Sequence, residues 1–262
     1  MAASVESFGL TDVGRRRALN KHSFFIDGQL GLYIVADGMG GENDGEVASR
    51  TAADAVATFI RRSKESEITW PFGIVPHLSH NGNRLRTAIM MANKRVWKEA
   101  ESRPEYVGMG TTIVAALIED DVLTLCGAGD SRAYRIRENQ LDQITTDDSW
   151  IQAAVSAGAL THERLQEHPM RNIITKAVGA KETIEAEILE TPLQEGDLYL
   201  LCSDGLHGMI PESRILEIVL ATDGNLQKAV ADLIAAANAG GGKDNITALL
   251  FRYQSTQLRD RA

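Results

Sequence analysis

The chain has 262 residues and a formal net charge of -9, from 27 Lys and Arg against 36 Asp and Glu. That balance argues against a broad basic face for nucleic acid, and no apolar run nears the roughly 18–20 residues of a membrane span. Cys126 and Cys202 lack any CxxC spacing, and residues 1–10 are neither basic nor continuously apolar, so a cytoplasmic protein without disulfides or a secretory leader is expected.

Residues 7–11 and 23–26 read as short strands joined by a polar, basic stretch. Residues 31–36 form an apolar strand ending at Asp37. From 46 to 62, Val47, Ala48, Ala52, Ala55, Val56, Phe59 and Ile60 recur at helical spacing. Residues 63–82 are a mixed connection, and 84–101 a second amphipathic helix stopped near Pro104. Three strands follow over 111–118, 122–128 and 132–137, with 119–121 and 138–139 as hairpin turns. Over 145–179 the character changes to short helical pieces, Gly158 and His168-Pro169, which reads as a surface lobe inserted between strands. Residues 185–191 and 197–202 resume the sheet. Helices over 212–220 and 225–238 precede Gly240-Gly241-Gly242 and a last strand over 246–253. Runs of strands and paired helices, without strict βαβ alternation, predict an α+β fold. One domain over 1–262 is expected, with its core at about 7–253 and a lobe at about 145–179.

Four aspartates stand beside expected strand ends: Asp37, Asp130, Asp204 and Asp244. Taken singly, each reads as a turn or cap residue, and Arg15-Arg16-Arg17 as a solvated basic turn. Together, carboxylates at the ends of apolar strands beside glycines can converge on one sheet edge. Such a cluster repels itself unless cations hold it, and hard oxygen donors favour magnesium, manganese or calcium. A metal-dependent hydrolase is the reading that follows.

Six motifs then occur in order: Thr11-Asp12-x-Gly14 with Arg17-x-x-Asn20; Val35-Ala36-Asp37-Gly38-Met39-Gly40-Gly41; Gly110-Thr111-Thr112; Gly129-Asp130-Ser131-Arg132; Cys202-Ser203-Asp204-Gly205-Leu206; and Lys243-Asp244-Asn245-Ile246-Thr247. The set resembles the metal-dependent protein phosphatases, the type-2C serine/threonine phosphatases in their compact bacterial form. The resemblance implies a central β-sandwich of two mainly antiparallel sheets flanked by helices, α-β-β-α, with two divalent cations, manganese or magnesium, at one end. It implies hydrolysis of phosphoserine and phosphothreonine by a water that bridges those cations. Position by position, Asp37 resembles the carboxylate bridging both cations and Gly38 the donor of a backbone carbonyl. Asp204 and Asp244 resemble the remaining ligands of the first metal, and Asp130 with Asp204 the pair holding a weaker third. Arg17 resembles the guanidinium that grips the substrate phosphate, and 145–179 a flap beside the site. The implied partners are phosphoproteins and a cognate serine/threonine kinase or its substrates, for a monomer that binds neither nucleic acid nor membrane.

The chain departs from the pattern after Asn20. Family members usually continue with an acidic or amide residue and then an aspartate, where this chain has Lys21 and His22. Lysine brings a repelling charge, and a neutral imidazole suits manganese better than magnesium. Four outcomes stand open: His22 in the second metal's shell, a weakly held second metal, Lys21 standing in for its charge, or both side chains in solvent. Met39 occupies the place of a general-acid histidine in eukaryotic members, so the leaving oxygen takes its proton from water or another group. His207 is expected near the site, at the surface or in support, and His168 as structural. A weakened pseudophosphatase that binds a phosphoprotein or kinase is the second reading, and a small-molecule phosphoesterase the third.

Overall fold

Leu32 to Ala36 are all fully buried. A strand apolar on both faces needs cover from both sides, and the chain supplies it with a second sheet and a pair of helices. The computed structural model describes residues 4–41, 44–65, 69–156, 170 and 173–254. It begins with β1 (Ser4–Asp12), β2 (His22–Asp27) and β3 (Leu32–Met39), then α1 (Asp44–Glu65) and α2 (His80–Ser102). Next come β4 (Gly110–Glu119), β5 (Val122–Ala128), β6 (Arg132–Arg137), β7 (Gln140–Gln143) and α3 (Trp150–Ser156). The chain closes with β8 (Glu187–Pro192), β9 (Leu198–Cys202), α4 (Asp204–His207), α5 (Glu212–Leu220), α6 (Leu226–Ala239) and β10 (Ile246–Gln254). No helix among the described residues is long and apolar enough to cross a membrane.

The first sheet has the order β1-β10-β9-β6-β7 and the second β2-β3-β4-β5-β8, and every pairing within them is antiparallel. Two type I′ turns close hairpins, with positive φ at Asp120 and Asp121 and again at Glu138 and Asn139. Ile34, Ile60, Leu85 and Ile113 share the core between the second sheet and α1–α2. Leu200, Ile215, Leu233 and Leu250 share the core between the first sheet and α5–α6. Between the sheets, Phe251 stacks on Tyr33 with ring centres 4.5 Å apart and on Tyr199 at 5.2 Å. At one end of the sandwich Tyr253 of the first sheet donates its hydroxyl to Asp121 Oδ1 of the second at 2.5 Å. The α-β-β-α architecture expected from the motifs is therefore present.

Some boundaries differ from expectation. β3 continues past Asp37 to Met39, because Gly38 and Met39 still pair with Thr111 and Gly110 of β4. Asp37 thus lies inside a strand rather than after it. α2 begins at His80, where the Ser79 side chain caps it by accepting from Gly82 N–H at 3.0 Å. Of the expected lobe, α3 and the return through 173–178 are described. Trp150 N–H donates to the Ile173 carbonyl at 2.9 Å, and Val178 pairs with Thr111. Gly158 and His168-Pro169 lie outside the described residues.

Candidate active site

Strand register brings the four aspartates to one end of the sandwich. Asp130 stands two residues before β6, Asp204 two after β9 and Asp244 two before β10, while Asp37 lies opposite His22 on β2. Because Cys202 pairs with both Arg132 and Ala248, the first three share an edge of the first sheet. Asp37 comes from the second sheet, so the site straddles the seam between layers.

The carboxylates respond to one another. Burial, then Asp37, Asp130 and Asp244, push the Asp204 carboxyl well above its ordinary range. Burial first, then Asp37 and Asp147, push Asp130 up to about 6. The Asp204 Oδ1 atom is buried without a hydrogen-bond partner. Among the described residues no three His, Cys, Asp or Glu side chains form a finished metal cage. An orphaned buried carboxylate oxygen amid mutually repelling carboxylates nevertheless fits a hard divalent cation.

Glycine is required at Gly38, where a Cβ would lie 1.8 Å from the Gly45 carbonyl oxygen. Here β3 and α1 touch backbone to backbone, and the Thr111 hydroxyl donates to the Asp37 carbonyl at 2.9 Å. Gly14, at φ +78°, lets the loop after β1 press on the Asp244 carbonyl, which a Cβ would meet at 2.2 Å. Asn245 lashes that loop down, donating to the carbonyls of Val13 and Leu19 at 2.9 Å each and accepting from Lys21 N–H at 2.9 Å. This anchoring role was hidden in the sequence, although Asn245 sits inside a motif.

Arg17, on the same loop, is exposed and donates from Nε and Nη2 to Asp244 at 2.8 and 2.6 Å. That pairing, helped by Asp204 and Asp37, raises the guanidinium pKa. The residue expected at the phosphate thus faces the carboxylate cluster. Lys21 Nζ donates to the carbonyls of Gly40 (3.2 Å) and Gly41 (2.5 Å). His22 is only 7% exposed, with Nε2 3.0 Å from Asp37 Oδ1 and Nδ1 3.0 Å from Thr247 Oγ1. The solvent-facing outcome for this pair is overturned, because the β2–β3 register sets His22 opposite Asp37. His207 is a supporting rather than a surface residue: its Nε2 meets the Asp130 carbonyl at 3.0 Å, and burial, then Arg132, lowers its pKa to about 4.

A sandwich whose carboxylate-bearing loops meet at one end, with an arginine over them, defines a class of metal-dependent phosphatase. Residues 21–250 match the family described as Protein phosphatase 2C, and the chain belongs to that family. The serine/threonine phosphatase stp of Listeria monocytogenes is 35% identical over 256 residues, covering 94% of this chain and 95% of that protein. The solved structure of the Mycobacterium tuberculosis serine/threonine phosphatase PstP matches with a TM-score of 0.83 at 33% identity, over 96% of this chain and 99% of that one. The catalytic domain of PstP in complex with two manganese ions matches at 0.81 and 31% identity, over 97% and 100%.

Proposed function

We propose that this chain is a manganese- or magnesium-dependent phosphoprotein phosphatase that hydrolyses phosphoserine and phosphothreonine. The observation that carries the reading is the union of Asp204 with Asp37, Asp130 and Asp244 beside Arg17. In this reading Asp37 would serve both cations and Gly38 would offer its backbone carbonyl, Asp204 and Asp244 would complete the first, and Asp130 with Asp204 would hold a weaker third. Two cations supply Lewis acidity that activates the attacking water. Arg17 turns its planar fork from Asp244 to the substrate phosphate, which offers the same bidentate geometry. Met39 has no proton to give. His207, lowered to about 4 and engaged at Nε2, is neutral at pH 7. The leaving serine or threonine oxygen then takes its proton from water or another group. The chain is read as one catalytic domain, a cytoplasmic monomer acting against a serine/threonine kinase.

Lys21 and His22 bring no carboxylate to the site, which favours a weakened, phosphoprotein-binding relative as the second reading. Phosphate release from an aryl phosphate and from a phosphothreonine peptide, with and without manganese, separates the two. Manganese-dependent release from both, lost in Asp37→Ala together with tight manganese binding, is expected. Metal binding without turnover in the wild type would establish the second reading instead.

A further inference from the structure

The hydrogen bonds around His22 start from a backbone donor. His22 N–H can only donate, and it lies 3.1 Å from Asn20 Oδ1. That fixes the amide oxygen and leaves Asn20 Nδ2 to donate to Thr11 Oγ1 at 2.9 Å. The Thr11 hydroxyl can then donate to Thr247 Oγ1, 2.7 Å away, and Thr247 to His22 Nδ1 at 3.0 Å. An imidazole that accepts at Nδ1 carries its proton at Nε2, and Nε2 lies 3.0 Å from Asp37 Oδ1. In either direction Nε2 carries a proton, because an imidazole lone pair set 3.0 Å from the Asp37 carboxylate would repel it. The contacts form one chain, from Asn20 through Thr11, Thr247 and His22 to Asp37.

We infer that His22 is a positioning residue for Asp37 and not a metal ligand. Neither ring nitrogen has a lone pair for a cation, since Nδ1 is bonded to Thr247 and Nε2 holds the proton given to Asp37. The imidazole grips Oδ1 and so fixes the orientation in which the Asp37 carboxylate would meet the cations. Lys21 does the matching work on the next turn, through the carbonyls of Gly40 and Gly41. Residues 21 and 22 thus hold both ends of the segment from Asp37 to Gly41. The inference rests on the proposed role of Asp37 at the cations.

The test reads the imidazole directly, by nitrogen NMR of the full chain labelled at histidine, metal-free and saturated with magnesium. A proton on Nε2 and an accepting Nδ1, both retained with magnesium, are expected. An Nε2 that loses its proton or coordinates the ion overturns the proposal. Manganese titration calorimetry supplies a second reading. His22→Gln keeps a donor for Asp37 and should bind within about threefold of wild type, whereas His22→Leu should bind about 10–100-fold more weakly. Wild-type affinity in His22→Leu, or tighter binding in His22→Asp, would count against positioning. Thr247→Val removes the hydroxyl that meets Nδ1 and should weaken manganese binding, while Thr247→Ser should restore it. Equal weakening in both Thr247 variants would overturn the chain. Thermal unfolding of each variant confirms that the folded protein is compared. Normal manganese binding by Asp37→Asn would instead overturn the role of Asp37, and the proposal with it, whatever the tautomer.

Discussion

Arg17 meets Asp244 through two parallel hydrogen bonds, a geometry that an ammonium group cannot copy. Arg17→Lys should raise KM for a phosphothreonine peptide and leave manganese affinity near wild type, as steady-state kinetics and calorimetry can check. An unchanged KM would pass the phosphate role to a neighbour. Arg15 Nε already donates to the Asn238 carbonyl at 2.9 Å, which makes Arg16 the next residue to replace. Asp130 and His207 set a pH signature in the metal-free protein. The folded Asp130 carboxyl lies at about 6 against an ordinary 3.8, so its contribution is complete below about pH 4 and is lost as pH rises through 6. About two pKa units correspond to about 3 kcal/mol. His207 runs the opposite way: its shift from 6.5 to about 4 gives stability that is present above pH 6.5 and lost as pH falls through 4. The two slopes oppose each other in the wild type. Asp130→Asn should therefore lose stability on acidification more steeply, as denaturant unfolding with a chelator would show. A profile parallel to wild type would mean that the Asp130 carboxyl is not held high.

At the level of elements, one amide on α2 holds the return of the lobe. Asn93 is 1% exposed, accepts from Gly179 N–H at 2.7 Å, and donates to the carbonyls of Lys181 and Glu182 at 3.0 Å each. Asn93→Leu would strand the buried Gly179 N–H at about 1–3 kcal/mol, while the carbonyls of exposed Lys181 and Glu182 can turn to water. A loss of about 1–3 kcal/mol in urea unfolding is expected, with faster exchange at the Val178 amide. Loss of stability without that local exchange would place the damage in α2 itself. The long elements were legible because apolar runs such as Leu198–Cys202 end at clear punctuation. β7 was not, since Gln140–Gln143 carries one apolar residue, Leu141, at a sheet edge. The end of β3 was misplaced because Gly38 reads as a breaker, whereas β4 pairing carries the strand through it. The four aspartates were legible from their places beside strands. The chain through His22 was not, because it depends on Thr247, 225 residues away, arriving by sheet register.

Across the whole molecule, cation binding and folding are linked. Manganese at a hundred times its dissociation constant should stabilise the protein by about 2.7 kcal/mol. The gain should be larger at pH 7.5 than at pH 5 if Asp130 and Asp204 are ligands as proposed, because cations would then displace the protons they hold. Thermal unfolding at both pH values tests this. Equal shifts would mean that those carboxylates are not ligands.

The two layers are also joined by directional bonds at two points. His22 of the second sheet meets Thr247 of the first at the active-site end, and Tyr253 of the first meets Asp121 of the second elsewhere. Stacked rings between the sheets resist separation but have little preference for position, so alone they would allow the layers to slide. The two bonds oppose that sliding. Sliding would part Asp37, on the second sheet, from Asp130, Asp204 and Asp244 beside the first, so the bonds that fix one layer against the other also keep the carboxylates together.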